Sequence, residues 1–201
     1  MQMKNEVSRR GFLSAALVAA LGLAGSAVAA DCPATENNPE GPFYIPDAPY
    51  RNQLAPATLP GERLRMSGRI LAAPGCQPLA GAVLDLWHAN AAGFYYGLEA
   101  SRPLSPEEYL LRGRLRTDED GRYEFDTILP GNYRVSETWM RPRHIHFIAG
   151  HPSRRSLTSQ IYFEGDPQNR TDRLVKSSLI IPLGKEGGGY VGTFDIALSG
   201  S

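Results

Sequence analysis

Cysteine is almost missing from this sequence: two residues in 201, Cys32 and Cys76. That excludes a fold held by a disulfide framework. With both cysteines remote in sequence from the histidines, it also excludes a cysteine-rich zinc knuckle. Net charge is missing too, with 21 basic residues against 21 acidic ones. No basic field is therefore available for nucleic acid or for an anionic membrane surface. Nor is there a long hydrophobic run, since the apolar stretch from Ala15 to Ala24 falls short of the roughly 20 residues a membrane helix needs.

Glycine and proline are abundant, at 21 and 16 residues, and favour turns over long helices. The first thirty residues differ from the rest. Ser8-Arg9-Arg10-Gly11-Phe12-Leu13 leads into the apolar run, and Ala27-Val28-Ala29-Ala30 closes it. This is the order of an export signal: charged region, apolar region, A-x-A cleavage site. The paired arginines resemble a twin-arginine signal; a plain secretory signal or an uncleaved anchor is the alternative. Residues 1–30 are thus expected to be removed, leaving a periplasmic or secreted protein without a stable membrane span. About 170 residues then remain, enough for a single core. In an oxidising compartment Cys32 and Cys76 can form a disulfide or stay as two separate thiols, and the sequence leaves both open.

Residues 31–61 form an arm with prolines throughout, which exclude helix interiors and central strands. Residues 62–201 carry short strand-like runs: 63–72, 81–89, 112–128, "HIHFIAG", "SLTSQIYFEG" and "YVGTFDIAL". The segment 112–128 reads as two strands around an Asp-Gly turn, a strong hairpin signal. Brief helices are expected only in 105–113 and at the start of 171–178. The pattern predicts an all-β fold, an antiparallel β-sandwich with a proline-rich N-terminal arm and few short helices.

The chemistry concentrates in "WMRPRHIHFIAG". On a strand, residues i and i+2 share a face, roughly 6.6–6.8 Å apart, so His144 and His146 point together while Ile145 packs on the other side. Two converging imidazoles suit a transition metal; half-exposed strand histidines are the plainer reading. Glu137, Asp126 and His151 lie near in sequence without a compelling ligand spacing. Tyr95 and Tyr96 follow a strand, and Tyr133 follows the Pro130-Gly131 turn. A phenol titrates near pH 10, so as a ligand it needs a strongly Lewis-acidic ion such as ferric iron. Taken singly, each tyrosine is equally a turn or rim residue.

Taken in order, "LDLWHANAAGFYYG", "DEDGRYEFDTILPGNYR", "WMRPRHIHFIAG" and "SQIYFEGDP" resemble the intradiol ring-cleavage dioxygenases, the catechol and protocatechuate dioxygenase family. The resemblance runs from about Glu40 to Ala197. It implies an Fe(III) cofactor held by Tyr95, Tyr133, His144 and His146, with Tyr96 the alternative at the first position. It further implies a catalytic Arg141, a substrate-orienting Gln160, and Tyr133 as the ligand that leaves and acts as a base. A catechol-type small molecule and dioxygen would be the partners, and a muconate-type diacid the product. Three positions depart from the pattern. His88 stands where the family has glutamine, Arg143 occupies a position that is often small, and the proline-rich arm stands where the catechol branch has a helical dimerisation segment, its "EGPFYIP" resembling the segment that borders the substrate cleft in relatives. Substrate identity and oligomeric state, a homo-oligomer included, stay open on that account. The rival readings are a non-catalytic exported binding module and a zinc hydrolase built on the two histidines.

Overall fold

In the computed structural model, which describes Gln2 and residues 32–200, the chain after the arm is built almost entirely of strands. The export signal expected over residues 1–30 lies outside the described residues, Gln2 apart. The strands are β1 (Arg63–Ala72), β2 (Gln77–Pro78), β3 (Val83–His88), β4 (Arg112–Arg116), β5 (Arg122–Ile128), β6 (Tyr133–Ser136) and β7 (Trp139–Arg141). They continue with β8 (His144–His151), β9 (Arg154–Phe163), β10 (Ile180–Ile181), β11 (Gly184–Glu186), β12 (Gly189–Thr193) and β13 (Ile196–Leu198). Helix among the described residues is confined to short 3-10 segments at Pro106–Glu108, Pro167–Arg170 and Ser177–Leu179. The helix expected over 105–113 is cut short because Leu111 takes φ 57° and buries its side chain instead of continuing a turn.

Alternation sorts the layers. Along β1, Leu64, Met66, Ile70 and Ala72 are buried while the arginines between them face outward, as a period of two requires. One sheet runs β11-β12-β1-β13, with β2 and β5 also paired to β1; the other runs β10-β9-β8-β3-β4; β6 and β7 form a separate ribbon. The core between them unites Met66, Phe125, Leu86, Ile145, Phe147 and Ile161.

Two sequence expectations change in detail. The sheets are mixed, since β12 and β13 both run parallel to β1, and β10 runs parallel to β9. The cause is local: β12 and β13 are successive pieces of one extended run, so they share a direction. Between them the chain bends over Gly68, where Phe194 N donates to Ser67 O at 2.9 Å. A Cβ on Gly68 would sit 1.9 Å from the Phe194 carbonyl oxygen, so only glycine admits this approach. The second change concerns 112–128. Both strands and the turn are present, with Asp118 Oδ1 accepting from Asp120 N and Arg122 N at 3.0 and 2.7 Å. Yet β4 pairs with β3 and β5 with β1, in opposite sheets. The turn is a crossover, not a hairpin.

The proline-rich arm is integrated rather than loose. Its backbone bonds run Thr35 N to Ala197 O, Asn38 N to Thr158 O, Arg51 N to Arg114 O and Leu54 N to Asp126 O, all between 2.8 and 3.0 Å. Leu54 is fully buried in the main core. At the arm's beginning, Cys32 and Cys76 share a small apolar cluster with Ala73 and Ala197. Burial, and then the Cys76 thiol, push the Cys32 thiol up to about 11.

Candidate metal centre

The face of β8 opposite the core carries the chemistry. Ladder pairing sets Arg112 of β4, Trp87 of β3, His146 of β8 and Gln160 of β9 in one cross-strand row. His144 and Tyr162 form the next row on the same face. Trp87 lies parallel to the His146 ring, centroids 4.9 Å apart and planes 5° apart, and fixes its orientation.

Both imidazoles are buried and point Nε2 at each other, 3.1 Å apart. His144 Nδ1 donates to Pro142 O at 2.6 Å, which leaves its Nε2 with a lone pair. Burial, and then the Arg141 charge, push the His144 imidazole down to about 3; burial, His144 and Arg141 hold His146 well below the usual range. Both rings are therefore neutral at physiological pH, the form that binds metals.

Two phenols complete the group. Tyr95 is placed by the turn after β3, where Asn90 Oδ1 accepts from Ala92 N and Phe94 N at 3.0 Å each. Tyr133 opens β6 after the Pro130-Gly131 turn. Their rings meet edge to face at 5.7 Å, with Tyr133 5.6 Å from His144 and Tyr95 6.3 Å from His146. The Tyr95 hydroxyl is buried without a hydrogen-bond partner in the protein. Burial raises both phenols, while the Arg141 charge works against that rise.

Arg141 is buried beside them, directly opposite Tyr133 in the β6–β7 ladder. Its Nε donates to Asp172. Its Nη2 donates to Gln160 Oε1 at 2.6 Å and to Tyr162 at 3.2 Å, and its Nη1 to the Tyr133 hydroxyl at 3.4 Å. Burial alone would lower Arg141, but the Tyr133 and Tyr162 phenols and Asp172 more than offset it. Gln160 Nε2 donates to Pro39 O at 2.6 Å, tying the arm to this network. The arm also roofs the site, with Phe43 stacked on Tyr95 at 4.3 Å and edge-on to Tyr133 at 5.6 Å. Gly41, at φ 76°, passes His146 so closely that an added Cβ would lie 3.4 Å from Cε1.

The structure thus brings Tyr95, Tyr133, His144, His146, Arg141 and Gln160 together. Tyr96 turns elsewhere and packs beside Leu111 and Ile128, its hydroxyl accepting from Asn90 Nδ2 at 3.1 Å. Glu137 is exposed, Asp126 lies on the other sheet, and His151 bonds Ser153 at the far end of β8. His88 is buried between the sheets, its Nε2 2.7 Å from Thr127 Oγ1. Arg143 clasps Asp166 through its backbone N at 2.9 Å and its Nε at 3.1 Å. Sequence reasoning missed Tyr162, Asp172 and Arg112, while Phe43 lies in the "EGPFYIP" segment that the resemblance placed beside the substrate cleft. Period-two spacing from Gln160 would have found Tyr162; no local signal marks Asp172.

A ferric ion fits this donor set. Metal–imidazole bonds of ~2.1 Å put neighbouring nitrogens ~3 Å apart on a coordination sphere, close to the 3.1 Å observed between the two Nε2 atoms. Beside the two imidazoles, the oxygen donors that the structure gathers here are the phenols of Tyr95 and Tyr133. Phenol oxygens select a hard, highly charged ion.

A family profile described as "Dioxygenase" matches residues 39–191. A chlorocatechol 1,2-dioxygenase from Rhodococcus opacus is 37% identical over 169 residues, covering 73% of this chain and 63% of that protein. A catechol 1,2-dioxygenase from Acinetobacter lwoffii is 38% identical over 144 residues, 64% of this chain and 50% of its own length. The chain therefore spans about half to two thirds of these relatives. Among solved structures, the dioxygenase domain of a dioxygenase–carbohydrate-binding fusion from Streptomyces sp. SirexAA-E superposes with TM-score 0.73 at 36% identity, covering 84% of this chain and all of that one. The 3-chlorocatechol 1,2-dioxygenase of Rhodococcus opacus gives TM-score 0.74 at 30% identity, covering 83% and 73%. The matched stretch contains both tyrosines, both histidines and Arg141, and on that footing the chain belongs to the intradiol ring-cleavage dioxygenase family.

Proposed function

We propose that this protein is an exported, non-haem Fe(III) dioxygenase that opens a catechol-type ring between its two hydroxyl-bearing carbons, giving a muconate-type diacid. The observation that carries the reading is the convergence of two neutral imidazoles and two half-buried phenols beside a clamped arginine. Tyr95, Tyr133, His144 and His146 would hold the ion. Bound there, ferric iron would supply the Lewis acidity that ionises catechol hydroxyls near neutral pH and would activate the ring carbons toward dioxygen, the substrate itself supplying the electrons.

The chain's own residues then divide the remaining work. Tyr133 is less deeply set than Tyr95, and its contact from Arg141 is long, at 3.4 Å. It is the one free to leave and take a proton from a substrate hydroxyl at its oxygen. Tyr95, wedged under Phe43, stays in place. Arg141 presents a fixed positive charge where negative charge develops on the substrate, in a buried site where that charge is strong. Gln160 already accepts from Arg141 and Tyr162 and donates to Pro39 O. It keeps one N–H for substrate, so holding Arg141 is its larger task. Phe43 and the arm exclude water from above.

The test uses the mature chain, residues 31–201, purified after export. About one iron per chain, a visible tyrosinate band, and oxygen uptake with at least one substituted catechol are expected. Stoichiometric zinc without colour, or no oxygen uptake by iron-loaded protein across the catechol series, would refute the reading. Changing Arg9 and Arg10 to lysine should trap the precursor in the cytoplasm; unimpaired export of the double variant would exclude the twin-arginine route.

A further inference from the structure

Asp172 sits on a loop, where an acid usually faces water, yet its side chain is fully buried. Both of its oxygens are engaged. Oδ2 accepts from Arg141 Nε, and Oδ1 accepts from Leu174 N at 2.8 Å. An ionised carboxyl can accept at both oxygens, whereas an amide would turn an N–H toward one of the two donors. Burying a charge is unfavourable unless it is paired, and a buried pair is by itself weak evidence for stability. What this pair fixes is direction.

The partners of the Arg141 guanidinium are divided by edge. Nε goes to Asp172, while Nη2 goes to Gln160 Oε1 at 2.6 Å and to the Tyr162 hydroxyl at 3.2 Å. Nη1 is left with the long contact to Tyr133, at 3.4 Å. The planar fork is therefore fastened along its Nε–Nη2 side and presents its remaining nitrogen to the Tyr133 phenol. Gln160 and Tyr162 both hold Nη2, and a fork held at that one atom can still rock about it. Asp172 supplies the second point. The loop that carries it is tied on both sides: Asp172 N donates to Gln168 O at 3.0 Å, and Asn38 Nδ2 of the arm donates to Leu174 O at 2.7 Å.

We propose that Asp172 is a positioning residue for ring opening: by holding Arg141 Nε it keeps Nη1 aimed at the side of the site where Tyr133 stands. This rests on the function proposed above. Asp172 acts only through Arg141. A carboxylate in contact with a guanidinium also offsets part of its positive charge, so what Asp172 adds is placement and not field.

Two variants separate this role from a merely structural one. Asp172→Asn removes the charge and keeps one acceptor; Asp172→Glu keeps the charge and moves it by one methylene. Both should retain iron, colour and wild-type affinity for catechol without oxygen, yet lose roughly 10–100-fold in kcat per iron, the scale for a group displaced by about an ångström. In an Arg141→Ala background Asp172→Asn should cost no further turnover, the signature of action through Arg141. A second readout needs no metal. In metal-free protein the Arg141 Nε–H resonance, assigned by its absence from Arg141→Ala, should exchange slowly with solvent, and faster in Asp172→Asn. A purely structural Asp172 would lower Tm but leave kcat, measured well below Tm, at the wild-type value. That result overturns the proposal and leaves the proposed reaction standing, as does an equal loss in both backgrounds or unchanged Nε–H exchange. If Asp172→Asn does not fold, Asp172→Glu decides alone: wild-type turnover there defeats the role. Iron-loaded wild-type protein that opens no catechol would overturn this proposal together with the reading beneath it.

Discussion

One guanidinium, that of Arg141, donates to Asp172, Gln160, Tyr162 and Tyr133. A side chain so fully clamped acts as a fixed charge instead of a mobile one, and its loss should be felt in turnover more than in metal retention. Arg141→Ala should keep its iron and colour but lose roughly 10²–10³ in kcat, the scale for a missing transition-state donor. Oxygen uptake normalised to iron content checks this, and near-normal turnover would exclude the role. The two tyrosines should separate just as clearly. Tyr133→Phe should retain colour but bind catechol slowly without oxygen, because the departing base is gone. Tyr95→Phe should lose more of the band in the substrate complex. Stopped-flow absorbance under anaerobic conditions distinguishes them, and wild-type binding kinetics in Tyr133→Phe would remove it as the base. His144-Ile145-His146 was legible because strand periodicity alone aims both imidazoles to one side. Asp172 was not, because its partner Arg141 lies 31 residues away and only the folded loop brings them together.

The segments 112–116 and 122–128 show what local chemistry decides and what it leaves open. Asp118 and Gly121 build the turn, but strand partners are selected by which buried faces meet, and here the two strands face each other across the core. The arm carries the opposite lesson. Its prolines announced irregular backbone and the resemblance of "EGPFYIP" placed Phe43 near the cleft, but nothing local announced that Leu54 would be buried or that Pro39 O would hold Gln160. The proximity of Cys32 and Cys76 at the start of that arm makes a bridge testable. In exported protein the pair should be oxidised, closing a loop of about 45 residues worth on the order of 4 kcal/mol. Thiol titration of unfolded, unreduced protein should find no free thiol, and reductant should lower Tm; two titratable thiols would exclude the bridge.

Across the whole molecule, His88 joins the layers, reaching from β3 in one sheet to Thr127 on β5 in the other. Burial, its dominant influence, pushes it down to about 4. The folded state therefore refuses a proton that the unfolded chain accepts below about 6.5. Because the unfolded state binds more protons in that window, stability is intact above pH 6.5 and falls as pH drops toward 4, by roughly 3 kcal/mol from this residue. His88→Gln, which installs the family's usual residue, should flatten that part of the profile. Urea unfolding of both proteins at pH 7 and 4.5 gives the comparison, and parallel losses would show that His88 contributes nothing. The crossover at 117–121 has a consequence for the order of assembly. Before it the chain contains β1 to β4; after it come β5 to β13, and each large sheet draws strands from both sides. Neither half can close a sheet alone, so a nascent chain has no stable intermediate lobe to rest in, and pairings of such long sequence separation form slowly. Tyr95 is synthesised before the crossover and Tyr133, His144 and His146 after it. The centre therefore comes into being only after strands from both sides of the crossover have paired, and no fragment ending at the crossover can carry more than one of the four donors.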